Sequence, residues 1–285
     1  MSSRTILQFE GKIGFPDLQS LRRHSTALTT SRPSDGAFAL YTAVQANKAA
    51  LLPSHVPYTS GVVVPFALEA AVCALSVREP GPCMPGVLTP ALALPYPSLH
   101  PSSPPTKILI VNGAASSVGS TTTQIAAAAG ITVFAISSAR NFELAKQSGA
   151  SQVFDRHDPS LVETIVSVVR ATGLEFVGVF DAISTPENYA QDLEILRALG
   201  GESHLACTHP PPTEGVPVGV KTGMIFAVND VVAPVFRDFV TPALESGLLK
   251  CLPAPTVVGK GLEFINEALK RSKAEVSGTK LVVEV

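Results

Sequence analysis

The chain has 285 residues, of which 46% are hydrophobic, so it can bury a substantial core as one large α/β domain or as two unequal domains. Its 21 basic and 23 acidic residues give a formal charge of −2, which excludes a general electrostatic attraction to nucleic acid or to an anionic membrane. We therefore expect small molecules or other proteins as partners.

The amino-terminal residues favour a cytoplasmic protein. They lack the apolar core of a secretory signal, and Glu10 and Asp17 argue against a mitochondrial transit peptide. The four cysteines of the chain form no C-x-x-C pair, which argues against a structural zinc lobe and against a disulfide framework. A reducing compartment and the absence of a bound metal are the expectations.

The first predicted elements are a strand at residues 36–45 and an apolar helix at about 65–76. The apolar run from Gly61 to Val77 approaches membrane length, but it is shorter than about 20 residues and is interrupted by Pro65 and Glu69. A buried helix is thus favoured over a membrane span. The following stretch, 79–105, is so rich in proline that neither a helix nor a central strand can run through it, which predicts a linker.

From residue 106 onwards the pattern changes to alternating strands and helices. Four apolar runs are typical of buried parallel strands: 107–112, 132–137, 151–155 and 176–183. Helices are predicted between them and after them at about 117–129, 140–148, 159–171 and 186–199. Further strands are predicted at 204–208, 224–228 and 280–285, with helices at 232–246 and 259–271. Because parallel neighbours need crossover helices, this order predicts an α/β fold with a doubly wound parallel Rossmann sheet.

The turn after the first of these strands is a candidate dinucleotide site. In "IVNGAASSVGS" the residues from Gly113 to Gly119 carry small side chains, so that a pyrophosphate can approach the backbone amides at a helix start. Only Gly119 matches the glycines of G-x-G-x-x-G, since Ala114 and Ser116 replace the other two. The turn alone is a weak motif, and a tight turn without a ligand is the alternative.

The next strand distinguishes between NADH and NADPH. An NAD enzyme usually places an acidic residue at the end of this strand to bind the ribose diol. Here Ser137 and Ser138 are followed by Arg140 and Asn141, a segment without a carboxylate. A guanidinium favours a 2′-phosphate, so the expected cofactor is NADPH. The alternative is that Arg140 faces solvent.

Five segments together resemble the medium-chain dehydrogenase/reductase superfamily, and within it the zinc-independent quinone reductases and the fungal trans-acting enoyl reductases. These segments are "NGAASSVGS", "SSARNFELAKQSGASQVFD", "FDAISTPENY", "RALGG" and the closing "VVGKGLEFINEALKRSKAEVSGTKLVVEV". The resemblance runs from about Arg32 to Val285, with "SRPSDGAFALY" matching the end of a GroES-like catalytic domain. It implies a remnant of that domain at 1–78, the linker at 79–105, an NADPH-binding Rossmann domain at 106–250 and a segment at 251–285 that returns to the catalytic domain.

The resemblance also implies residue roles. The cofactor-binding residues would be Gly113, Ala115, Ser116, Ser117, Val118, Gly119, Ser138, Ala139, Arg140, Asn141, Arg156, Ala206, Cys207, Val276 and Ser277. Substrate would contact Thr222, Gly223, Met224, Ile225 and Phe226. No metal is implied.

The implied activity is NADPH-dependent reduction of an activated C=C bond in an enoyl or enone substrate, in fungal secondary metabolism, with a polyketide synthase as a candidate partner. The catalytic residue is unknown: alignment does most of the work in such a reduction, and the candidate donors Tyr41, Tyr58 and Lys221 are each more simply structural or exposed. The expected assembly is a monomer, or a homodimer paired through the strand at 224–228.

The short amino-terminal part motivates two alternatives. Only 35 residues precede Gly36, fewer than the family's catalytic domain contains, and the chain has no Asn-Pro dipeptide. One alternative is therefore a truncated, redox-inactive relative that binds NADPH as a partner, a sensor or a non-redox isomerase or cyclase. The other is an incomplete gene model.

Overall fold

A computed structural model of the chain describes residues 46–101, 104–226, 230–274 and 276–284, together with the backbone of residues 23–25. The chain divides into two compact units. The first contains Met1–Ala67 and Val232–Val285, and the second contains Leu68–Val231. The strand predicted at 36–45, with Tyr41, lies outside the described residues. The division predicted from the sequence, into segments 1–78, 79–105, 106–250 and 251–285 with their roles, remains a prediction.

The elements before the main sheet are short, apart from one apolar helix. In chain order they are β1 (Arg23–Ser25), β2 (Ala49–Leu51), α1 (Tyr58–Gly61), α2 (Pro65–Ser76), β3 (Pro82–Met84) and β4 (Val87–Leu88). β1 pairs with β2, and β3 pairs with β4, both antiparallel. The described residues of the proline-rich stretch thus form one small hairpin and otherwise irregular backbone.

Helix α2 has the predicted bounds and is buried. By length and composition alone, Tyr58–Ser76 is apolar enough to cross a membrane, but 78% of its most apolar 18-residue window is buried. Ala67, Leu68 and Cys73, for example, are fully buried. Burial on this scale is typical of a core helix, as the sequence predicted.

The second unit is built on a six-stranded parallel sheet. Its strands are β5 (Lys107–Asn112), β6 (Thr132–Ser137), β7 (Gln152–Asp155), β8 (Glu175–Asp181), β9 (Ser203–Cys207) and β10 (Val220–Met224). The crossover helices are α3 (Ser117–Ala128), α4 (Phe142–Gln147), α5 (Leu161–Thr172) and α6 (Pro186–Leu199). The spatial order is β10-β9-β8-β5-β6-β7, so the chain winds first to one side of β5 and then to the other. This doubly wound parallel sheet confirms the predicted fold class.

The sequence explains where these elements begin and end. β5 and β6 are apolar along their length and are buried from their second residue onwards. Helix α6 starts with Pro186 after Thr185, whose hydroxyl accepts the Asn188 N–H, and α5 ends at Gly173 in the left-handed conformation. One core cluster packs the sheet against helices α5 and α6, with Phe134, Ile136 and Ile165 among its fully buried side chains.

The strand predicted at 224–228 is wrong in its position. The structure places it at Val220–Met224, where it pairs with β9 in parallel, and residues 227–229 lie outside the described residues. Strand β10 lies at the edge of the sheet, so its side chains are only partly buried and its sequence, "VKTGM", is more polar than that of a central strand. A dimer through this edge remains a prediction.

The rest of the chain contains α7 (Ala233–Val235), a π-helical stretch at Phe236–Val240, α8 (Thr241–Ser246), β11 (Pro255–Lys260), α9 (Ile265–Lys273) and β12 (Lys280–Glu284). The single helix predicted at 232–246 is thus interrupted by a wider turn. Pro242 has no N–H with which to continue the ladder, which explains the change.

The helix predicted at 259–271 begins too early. β11 occupies Pro255–Lys260 and pairs in parallel with β12, and the helix proper starts only at Ile265. A buried hydrogen bond within the first unit fixes the start of β12: Lys280 Nζ donates to the Val63 carbonyl at 3.1 Å.

The cysteines are free thiols with different exposure: Cys73 and Cys207 are buried, whereas Cys83 and Cys251 are partly exposed. Burial raises the pKa of Cys251 from 9.0 to about 11.

We expect native Cys251 to react with iodoacetamide about 100-fold more slowly at pH 8 than in the unfolded chain, because the thiolate is the nucleophile and two pKa units reduce its fraction about 100-fold. Mass spectrometry of the alkylated peptide measures this, with denatured protein as the control. Equal rates in native and denatured protein would contradict the shift.

Candidate nucleotide site

The turn between β5 and α3 has the geometry of a dinucleotide cradle. Gly113 N–H and Ala114 N–H both donate to the Ile136 carbonyl, and this pins the turn to the neighbouring strand β6. Ser116 caps the helix, since its Oγ accepts the Gly119 N–H at 3.0 Å. The first bond of the helix ladder runs from Ser120 N–H to the Ser116 carbonyl. The amides of residues 117 and 118 precede it, at the positive end of the helix dipole.

Two glycines of this turn leave no room for a side chain. A Cβ on Gly119 would lie 2.2 Å from the Gly113 carbonyl oxygen, so the helix start crosses the turn in backbone contact. Gly113 has a φ of +74°, and a Cβ there would lie 2.4 Å from the Ile183 side chain. The chain therefore keeps the turn bare, which is what close approach of a pyrophosphate to the backbone requires.

The segment after β6 lies beside this turn in the sheet. Ser138, Ala139, Arg140 and Asn141 form a short 3₁₀ turn, in which Asn141 Nδ2 donates to Ser138 Oγ at 3.1 Å. Arg140 is exposed, and the adjacent Ser137 ends a buried strand. A guanidinium at this edge is free to reach a phosphate over the carboxyl ends of β5 and β6.

Arg156 is brought next to the same segment by β7. Its backbone N–H donates to the Ser137 carbonyl at 2.9 Å, directly after the strand ends, and its side chain is exposed. The loop "DRHD" around it is a polar turn in which the Asp155 and Asp158 carboxylates accept backbone N–H groups of His157 and Ser160. Two arginines thus follow two neighbouring parallel strands.

The other predicted residues lie on the opposite side of β5 or in the first unit. Ala206 and Cys207 end β9 and are fully buried. Of the predicted substrate residues, Thr222, Gly223 and Met224 lie in the edge strand β10, followed by Ile225 and Phe226. The Phe226 N–H donates to Cys73 Sγ at 3.4 Å. Val276 and Ser277 belong to the first unit, and their role at the cofactor remains a prediction.

A buried polar cluster missed by the sequence analysis lies beneath the carboxyl ends of β5 and β8. Asp181 ends β8, and its Oδ1 accepts the N–H groups of Ile183 and Ser184 at 2.8 and 2.9 Å. Asp181 thus caps the turn that follows β8. The bond holds Ser184 at a φ of +60°, a conformation that non-glycine residues seldom adopt.

Asp192 and Asn112 complete the cluster. Asn112 Nδ2, at the end of β5, donates to Asp192 Oδ1 at 2.8 Å. Asp192 is fully buried on helix α6, and burial beside Asp181 raises its pKa well above the usual range. The sequence did contain a signal, because Asp192 lies four residues before Leu196 and three after Tyr189, on the apolar face of its helix.

Burial keeps the neighbouring acids neutral. Desolvation, and then the negative charges of Asp181 and Asp192, raise the pKa of the Cys207 thiol, so it is not a nucleophile at neutral pH. Desolvation also raises the pKa of Tyr189, whose hydroxyl donates to the Pro210 carbonyl at 2.9 Å. The half-buried His204 has a lowered pKa for the same reason.

The candidate proton donors and metal ligands are less well placed. Lys221 is exposed on the edge strand, and Tyr58 belongs to the first unit. Within the described ranges, no three His, Cys, Asp or Glu side chains cluster in the manner of a metal site. The catalytic residue stays unidentified, and the absence of a metal remains a prediction.

Known proteins are similar in sequence to this chain over almost its whole length. The sequence profile of the zinc-binding dehydrogenase family matches residues 117–227. The dehydrogenase orsE of Emericella nidulans is 61% identical over 277 residues, which are 95% of this chain and 79% of that protein. The trans-enoyl reductase himH of Aspergillus japonicus is 31% identical over 288 residues, covering 99% of this chain and 78% of that protein.

The fold is also that of a solved enoyl reductase. The crystal structure of the CurK enoyl reductase superimposes with a TM-score of 0.60 at 18% sequence identity, over 84% of this chain and 66% of that one. This structural similarity shows the fold, and the relatives with higher sequence identity show the family. The chain therefore belongs to the medium-chain dehydrogenase/reductase superfamily of oxidoreductases, in the branch of the enoyl reductases.

Proposed function

We propose that this protein is an NADPH-dependent, zinc-independent reductase of an activated C=C bond in an enoyl or enone substrate, in fungal secondary metabolism. The observation that carries the proposal is the placement of three segments at the carboxyl ends of neighbouring strands: the bare turn at Gly113–Gly119, the segment from Ser138 to Asn141, and Arg156. In a doubly wound sheet a ligand binds at this edge, where the strand order reverses.

The residues of the turn suit a pyrophosphate. The amides of Ser117 and Val118 and the hydroxyls of Ser116 and Ser117 are the donors we assign to it. Arg140 and Arg156 are assigned to the 2′-phosphate, because both are exposed cations and the segment from Ser138 to Asn141 has no carboxylate to bind a free ribose diol. NADPH supplies the hydride for the reduction, and this chain's residues bind and orient it.

The substrate class rests on the relatives. One of them is named a trans-enoyl reductase, and enoyl reductases work largely by aligning the double bond with the reduced nicotinamide. We assign the substrate to β10 and the residues after it, from Thr222 to Phe226, with Ala206 and Cys207 beside the nicotinamide ribose. Val276 and Ser277 are assigned to a loop that closes on the cofactor. A polyketide synthase is the proposed partner.

We expect purified protein to oxidise NADPH, followed at 340 nm, in the presence of one or more members of a panel of enones and enoyl thioesters. Saturated analogues of the same compounds serve as the control, because they lack the reducible bond. Calorimetry with NADPH alone separates binding from turnover. Binding without turnover across the panel would favour a redox-inactive NADPH-binding protein instead, and no binding would overturn the proposed function.

A further inference from the structure

Two buried carboxyl groups meet beneath the candidate site, and their hydrogen bonds are incomplete. Asp181 and Asp192 are both fully buried, and their side chains interact directly. Each uses Oδ1 to accept hydrogen bonds from N–H donors. In the described part of the chain, the Oδ2 of Asp181 and the Oδ2 of Asp192 receive no hydrogen bond from any N–H or O–H donor.

One proton resolves this arrangement. Two ionised carboxylates in contact repel each other, and a carboxylate has no hydrogen to donate. If one of the two carries a proton, its hydroxyl donates to the other, and both Oδ2 atoms are then satisfied. Asp181 is the better anion, because its Oδ1 accepts from Ile183, Ser184 and Asn188. Among the described residues, Asp192 accepts a hydrogen bond from the Asn112 amide alone, so it is the proton carrier.

The groups around the pair add no positive charge. Asn112 faces it from β5, Asn188 and Tyr189 face it from helix α6, and Cys207 faces it from β9. All four are neutral at pH 7. None of the four ion pairs found among the described residues involves Asp181 or Asp192. A neutral acid beside one anion is therefore the state that this surrounding favours.

We propose that Asp192 is a positioning residue for the nucleotide site: its protonated carboxyl donates a hydrogen bond to the Asp181 carboxylate and so links the end of β5 to the loop after β8. The resulting chain of hydrogen bonds runs from Asn112 through Asp192 and Asp181 to the amides of Ile183 and Ser184. That NADPH is the ligand of this site rests on the function proposed above.

The two ends of this series of hydrogen bonds lie beside one packing contact, between Gly113 and Ile183. Asn112 directly precedes Gly113, and Ile183 packs where a side chain on Gly113 would lie. The Asn112 carbonyl also accepts the Ala182 N–H at 3.0 Å. Asp192 thus fixes the turn and the loop relative to each other, without reaching the ligand itself.

The substitutions Asp192→Asn and Asp192→Ala test whether the Asp192 carboxyl acts in its neutral form and whether its hydrogen bonds are needed. Asparagine keeps an acceptor for Asn112 and an N–H donor for Asp181, so it reproduces the neutral acid. We expect D192N to bind NADPH within about threefold of the wild-type Kd and D192A at least about tenfold more weakly, because only alanine breaks the link. Amides of residues 183 and 184 should exchange with deuterium about tenfold faster in D192A and unchanged in D192N.

A spectroscopic and a pH readout test the proton directly. Infrared spectra of the wild type at pH 7 should contain a protonated-carboxyl C=O band that is absent from D192N. The pKa of Asp192 is raised on folding, so the native state holds a proton that the unfolded chain releases above about pH 4. The unfolding constant of the wild type relative to D192N should therefore rise about tenfold per pH unit, up to the raised pKa.

The outcomes are distinct. No such infrared band in the wild type, or a D192N variant that behaves like D192A in exchange, would overturn the proposal. If D192A fails to fold, the comparison of D192N with the wild type decides. If the wild type does not bind NADPH, the proposed function fails, while the infrared band and the exchange rates still decide whether the proton links the turn to the loop.

Discussion

Replacing Gly119 with alanine is expected to lower the free energy of unfolding by about 1–3 kcal/mol and to abolish measurable NADPH binding. The added Cβ would lie 2.2 Å from a backbone oxygen of Gly113, which cannot rotate away as a side chain can. The helix start must then move off the turn, and its first amides leave the positions that would hold a pyrophosphate. Chemical denaturation and calorimetry measure the two effects.

Gly81 provides the matched control. A Cβ at that position would meet only Thr89 Oγ1, at an ordinary 3.9 Å, so G81A should retain wild-type stability and affinity. If G119A were as stable as G81A, the backbone contact between the turn and helix α3 would not exist in solution.

Replacing Arg140 with alanine is expected to weaken NADPH binding about tenfold, and the double substitution with Arg156 about 100-fold, because each guanidinium is assigned a charge-assisted bond to the 2′-phosphate. NADH lacks that phosphate, so its weaker binding should change less than about twofold. High salt should shrink the loss for NADPH, since both arginines are exposed and their attraction is screened.

Arg78 is a suitable control for this series, since it is an exposed arginine of the same unit that is not assigned to the site. R78A should leave both affinities unchanged. Equal losses for NADPH and NADH in R140A would contradict the assignment to the 2′-phosphate.

The centre of the sheet could be predicted from the sequence because its strands are buried on both faces. β5 and β6 are continuous apolar runs with polar turns at both ends, and their predicted bounds are those of the structure. Helix α6 was equally well marked, by Thr185 and Pro186 at its start and by Gly200 at its end. Local chemistry and tertiary packing give the same answer in these elements.

Elements at edges were predicted poorly, for a physical reason. β10 and β11 are half-exposed, so neither has the apolar run of a buried strand. The strand at β10 was predicted on the neighbouring apolar residues 224–228, and no strand was predicted at β11. In the candidate site, the turn and Arg140 were predicted from local sequence, whereas Arg156 was predicted from the family resemblance. The link from Asn112 to Asp192 joins residues 80 positions apart, and only the packing of helix α6 on the sheet brings them together.

The division of the chain into two units has a consequence for its synthesis. The second unit is a single stretch, Leu68–Val231, whereas the first needs residues from both chain ends, including β11 and β12. Synthesis of the whole second unit is finished before β11 and β12 of the first unit are translated. The first unit can be completed only after β11 and β12 have been made. We therefore expect the second unit to fold before the first, although the first unit begins earlier in the chain.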